Sequence, residues 1–88
     1  LATILKVSGE KVEVVPNGKN GTVTLEQLQK AVGGWVEELN ITFKERVMFV
    51  DEEGRLKNKE LNSEASILAR RPIVGDAVIC SCVGDEYK

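Results

Sequence analysis

The sequence predicts an α+β fold: a small, mostly antiparallel sheet of about five strands with two short helices. Three features carry this reading. Two windows place apolar residues at helical spacing directly behind a capping side chain. Several other runs alternate or are continuously apolar in the manner of strands. The stretches between them are short and rich in glycine, asparagine and proline. Eighty-eight residues suit a single domain spanning 1–88.

The first helix is the best specified element. Thr24 and Gln27 have the spacing of a capping box, and Val23 and Leu28 that of the hydrophobic staple. Leu25, Leu28 and Val32 form one stripe with Ala31 beside it, while Glu26, Gln29 and Lys30 face away. Gly33 supplies the left-handed stop. Beyond it, alternation over Trp35–Phe43 puts Trp35, Glu37, Leu39, Ile41 and Phe43 on one strand face. A turn near Lys44–Glu45 then returns the chain through Arg46–Asp51. That turn lacks the Asn-Gly or Asp-Gly of a tight hairpin.

Before the helix, Ala2–Val7 and Lys11–Val15 read as strands joined at Ser8-Gly9-Glu10, with Gly9 where a two-residue hairpin turn wants it. Ile4, Val12 and Val14 are expected to face inward, although Leu5, Val7 and Val15 leave the face assignment open. The loop 16–21 matches no phosphate-binding spacing and reads as an ordinary surface connection. After the middle strands, Asp51-Glu52-Glu53-Gly54 reads as a turn with Gly54 left-handed, leading into a short Arg55–Lys57 strand. Its acids lack the spacing of a calcium loop. Asn62 is the expected N-cap of a second helix, Ser63–Arg71. Arg70 and Arg71 occupy its last turn, where cations suit the helix dipole, and Pro72 stops it. Ala77–Val83, apolar at nearly every position, reads as a central strand covered on both sides, or as one covered by a partner.

Composition narrows the chemistry. Twelve Lys and Arg against fourteen Asp and Glu give a net charge of −2. One Trp, one Tyr and two Phe in that background argue against direct nucleic-acid binding. There is no histidine, and Cys80 and Cys82 share one strand face in a geometry poorly suited to bridging each other. Both read as reduced packing residues, so no metal site and no cofactor are expected. No apolar run approaches the roughly 20 residues of a membrane span, and no signal peptide is read at the start. An intracellular location is expected.

These segments together resemble a known family. Ile4-Leu5-Lys6-Val7, Thr24-Leu25-Glu26-Gln27-Leu28-Gln29 with Val32-Gly33-Gly34-Trp35, and Val47 through Lys57 are similar to the phage- and prophage-associated family catalogued as domain of unknown function 3846. So are Leu61-Asn62, Ala65 and Arg71-Pro72-Ile73-Val74-Gly75-Asp76-Ala77-Val78. The family tends to carry a Pro-Asp-Gly-like turn between its middle strands, whereas Asn40–Arg46 here has neither proline nor glycine. The resemblance implies a mobile-element setting in the host cytoplasm and no accepted catalytic residues.

Two functions follow as expectations. The first is a non-enzymatic accessory protein that binds a host protein, or a second copy of itself, and modulates a host process. The apolar run Ala77–Val83 and the lack of reaction chemistry point there. The second is a small-ligand protein that holds a nucleotide-like signal, with Trp35, Glu37, Lys57, Arg70 and Arg71 as its candidate binding residues. Trp35 would stack on a base, while the two arginines and Lys57 would take phosphate. Glu37, set among apolar neighbours, is the one carboxylate whose burial would suit it to carry a proton. Exposure at the sheet edge, or pairing with Arg46 across the hairpin, is the plainer reading, and no catalytic residue is assigned.

Overall fold

The computed structural model describes residues 2–41, 46–83 and 86–88, apart from the side chains of Cys82 and Val83. Strands β1 (Ala2–Leu5), β2 (Lys11–Val14), β3 (Val36–Ile41), β4 (Arg46–Asp51), β5 (Ala77–Val83) and β6 (Glu86–Tyr87) accompany helices α1 (Leu25–Val32) and α2 (Ser63–Ala69). Five strands form an antiparallel sheet in the order β2-β1-β5-β4-β3, and β6 pairs with the end of β5. The α+β architecture with two short helices is therefore present.

Strand parity divides the core in two. Val47, Phe49, Val78 and Cys80 point to one face, where Leu28 and Val32 of α1 cover them. Met48, Val50, Ala77 and Ile79 point to the other, where Ala65 of α2 and Ile73 cover them. Over Ala77–Cys80, β5, the middle strand, is thus buried on both faces by its own chain, which explains its nearly continuous apolar run. It offers no apolar surface to a partner over Ala77–Cys80.

The local signals of α1 are realised. Thr24 Oγ accepts from the Gln27 N–H, the Gln27 side chain accepts from the Thr24 N–H, and Gly33 closes the helix at φ 80°. Gln27 does more than cap: its amide also donates to Val15 O at 2.7 Å and accepts from Asn17 N–H, tying the preceding loop to the helix. Leu25 departs from the expected stripe, being more than half exposed.

Several expectations are corrected. Trp35 precedes β3 and is 64% exposed, so the apolar face begins at Leu39. The 6–10 connection is a three-residue loop: Lys6 N–H donates to Glu10 O, Gly9 N–H to Lys6 O, and Gly9 sits at φ 94° as in a bulged hairpin. No strand forms at Arg55–Lys57. There the N–H groups of Gly54, Lys57 and Asn58 donate to the carbonyls of Asp51, Glu53 and Arg55, giving consecutive turns. Gly54 is not left-handed; it is buried where an added Cβ would lie 3.0 Å from Val74 Cγ2. Gly54→Ala should accordingly cost about 1–2 kcal/mol by overpacking, read as a lowered denaturation midpoint at unchanged slope.

α2 ends at Ala69, short of the expected Arg71, because Arg70 turns left-handed at φ 58°. Its N–H donates to Ile67 O and that of Arg71 to Ser66 O at 3.2 Å, a Schellman closure with arginine in glycine's place. Neither arginine lies within the last helical turn. Relieving the Cβ penalty with Arg70→Gly should stabilise the domain by about 0.5–1 kcal/mol, measurable as a higher Tm. The turn expected near Lys44–Glu45 lies outside the described residues.

Candidate functional site

A depression lies on the α2 side of the sheet, where β3, the end of β4, the 52–58 turns and the segment after α2 meet. It measures about 430 Å³, within the range of small-ligand clefts. Each wall has a local cause. β3 contributes Glu37 from the face it shares with Leu39, and β4 contributes Val50. The 52–58 turns present Arg55 and Leu56. Arg71 and Pro72 follow the closure of α2. That last segment is pinned by Ser66, whose hydroxyl donates to Asn62 O at 2.6 Å and accepts from Ile73 N–H at 2.8 Å.

Two of the five sequence-nominated residues meet here. Arg71 Nη2 and Glu37 Oε2 are 3.8 Å apart, with both side chains about half exposed. The exposure removes the buried-carboxylate reading of Glu37. Arg46, suggested as its partner, instead stands opposite Ile41, and Glu37 stands opposite Val50. An ion pair this long and wet contributes at most about 0.5 kcal/mol, so Arg71 can exchange Glu37 for another anion at little cost. Arg55 makes no ion pair among the described residues, which leaves a second guanidinium in the same cleft.

The other three nominated residues lie elsewhere. Arg70 is exposed and serves as the closing residue of α2. Trp35 borders a separate depression with Gln29, Lys30 and Gly34. Lys57 belongs to an internal ionic cluster. Its ammonium donates to Asp51 Oδ2 at 2.8 Å, and Lys59 reaches the same oxygen at 2.7 Å.

That cluster has a structural purpose. Lys59 also donates to Val32 O at 2.6 Å and Lys57 to Gly33 O at 3.3 Å, so both cations sit at the negative end of α1. The Asp51 side chain is fully buried. Burial pushes its carboxyl upward, but hydrogen bonds from Lys57, Lys59 and the Glu53 N–H outweigh it and lower the pKa from 3.8 to about 2. Hydrogen bonding to Asp51 raises Lys57 in turn, against a smaller desolvation effect.

Sequence reasoning missed Arg55, Leu56 and Pro72 as cleft residues and Asp51 as the anion under α1. Only one of these had a readable signal: a charged residue closing an apolar strand, with lysines following at alternate positions 57 and 59.

Among the described residues, no helix is long and apolar enough to cross a membrane. A search of the curated proteins gave no match, and neither did a search of the solved structures. The model of the family described as Domain of unknown function (DUF3846) matches residues 2–88, and the chain belongs to that family.

Proposed function

We propose that this chain is a non-enzymatic binding module, a phage- or prophage-type accessory protein that docks on a host protein in the cytoplasm and modulates its activity. The observation that supports this is the apolar surface left outside both cores. Leu56 is 81% exposed at the cleft and Ile67 76% exposed on the outer side of α2. At the cleft, Arg55 and Arg71 add guanidinium groups, a residue type enriched at interfaces, beside Leu56 and Pro72. Asp51 and Lys57, whose pKa values are displaced, are engaged in holding α1.

The test is titration of a purified host partner, first recovered by affinity capture, against the wild type and the variants Leu56→Asp and Ile67→Asp. Each variant should weaken binding by about tenfold or more, the effect of losing a typical anchor. Both side chains are solvent-exposed, so Tm should stay within about 2 °C of wild type. Equal affinity in both variants, or no purified protein that binds, removes the reading.

The cleft favours a second reading, in which Arg55 and Arg71 hold the phosphate of a nucleotide-like signal. Trp35 lies in another depression, so such a ligand is held here without aromatic stacking from that residue. Thermal shift against a nucleotide panel should then show a rise that disappears in Arg71→Ala. No rise with any nucleotide rejects it.

A further inference from the structure

β3 is an outer strand of the sheet, and nothing pairs with its outer edge among the described residues. Which backbone groups it offers follows from one bond. The Glu52 N–H donates to Trp35 O at 2.9 Å, so Trp35 and Glu52 occupy a hydrogen-bonding position at the start of the β3–β4 ladder. Such positions alternate along an antiparallel ladder. Glu37, Leu39 and Ile41 therefore bond to β4, and Val36, Glu38 and Asn40 direct their N–H and C=O outward.

The opposite edge is blunted. β2 has four residues, opens on an exposed lysine, and is followed by Val15, whose carbonyl takes the Gln27 amide, and by Pro16. β3 runs through six consecutive register pairs without bulge, proline or lysine. It thus lacks three of the devices that usually protect an edge.

Charge decides what can add there. Glu37 and Glu38 flank the edge on opposite faces of the sheet, both exposed; Arg71 stands 3.8 Å from Glu37, and Glu38 accepts from the Tyr87 hydroxyl at 2.6 Å. A second copy pairing symmetrically and antiparallel sets like carboxylates opposite each other when centred on Glu37 or Glu38. Centred on Leu39, it leaves Glu37 facing Ile41. None of these is favourable. An extended strand carrying Lys or Arg meets the carboxylate of Glu38 on one face, and on the other that of Glu37 where it replaces the long, exposed contact with Arg71.

Building on the binding-module reading, we propose that the outer edge of β3 takes up an extended, basic segment of the partner protein as a further strand. Main-chain bonds form at Val36, Glu38 and Asn40, and Glu37 and Glu38 select the side chains. The probe is a synthetic ten-residue peptide of Lys, Thr and Val, compared with its Lys→Glu counterpart. At saturation the basic peptide should slow amide hydrogen exchange at 36, 38 and 40 by about tenfold or more, and bind about tenfold or more tighter than the acidic one.

Asn40→Pro deletes an outward N–H without touching the β4 ladder. It should abolish peptide binding, while the β4 amides stay as protected as in the wild type. Binding without slowed exchange at 36, 38 and 40, equal binding by Asn40→Pro, or no binding at millimolar peptide each overturns the edge inference. The Leu56→Asp and Ile67→Asp titrations concern other surfaces, so they judge the broader reading separately.

Discussion

Replacing Asn62 with alanine should cost the domain about 3 kcal/mol or more, lowering Tm by about 15 °C. Asn62 is 1% exposed and uses both ends of its amide. Its Oδ1 accepts the Ala65 N–H that starts α2, while Nδ2 donates to Leu5 O at 2.8 Å and Gly75 O at 3.0 Å. Loss of the cap alone is worth about 1 kcal/mol. The excess comes from the two buried carbonyl bonds and the void left behind. Asn62→Asp separates these contributions. It keeps the cap acceptor but sets an anion against two carbonyls, so its carboxyl pKa must lie above the unfolded value. The variant should therefore lose stability as pH rises through the carboxylate range and regain part of it below. A mild, pH-independent Asn62→Asp would mean that capping is all this residue does. The readout is chemical denaturation from pH 3 to 7.

Asp51→Asn should cost about 2–3 kcal/mol at neutral pH. Breaking a buried ion pair typically costs about 3–5 kcal/mol, but the Lys57 and Lys59 side chains are 39% and 23% exposed and can turn partly to solvent. The pH dependence has a definite sign. The folded carboxyl is held at about 2 against an ordinary 3.8, so the folded state binds fewer protons than the unfolded one across that interval. Asp51's contribution is complete above the ordinary value and is lost as pH falls from about 4 toward 2. The gap between wild type and Asp51→Asn should close over the same range. Lys57, raised by its partner, adds stability that is present below its unfolded value and fades only in strong alkali. Because the two lysines also hold Val32 O and Gly33 O, exchange should quicken first in the last turn of α1. Uniform quickening across the molecule would count against that link.

What the sequence disclosed depended on distance along the chain. The α1 cap was legible because Thr24, Gln27 and Gly33 lie within one window, and Asn62 was recognisable as a cap for the same reason. Its bonds to Leu5, 57 residues away, and to Gly75 were not. The nearly continuous apolar run of β5 left open cover on both sides by its own chain or by a partner, and over Ala77–Cys80 its own chain covers both faces. The Arg55–Lys57 strand was misread because the chain there is governed by Gly54 packed against Val74 and by Lys57 drawn to Asp51. Trp35 was assigned to a buried face by parity, but β3 begins one residue later. Of the candidate site, Glu37 and Arg71 were named in one set of five, without any sign that these two would meet. Their meeting depends on α2 crossing the sheet and closing at Arg70, which periodicity does not encode.

On the proposed function, a partner docks on the α2 side, over the 52–58 turns and the outer face of α2, and not over α1. Hydrogen exchange of the chain with and without its purified partner tests this most directly. The expected footprint is slowed exchange across 52–58 and 63–71, joined by 36, 38 and 40 where the partner adds a strand, with α1 unchanged. A footprint confined to α1 and the β1–β2 hairpin would contradict it.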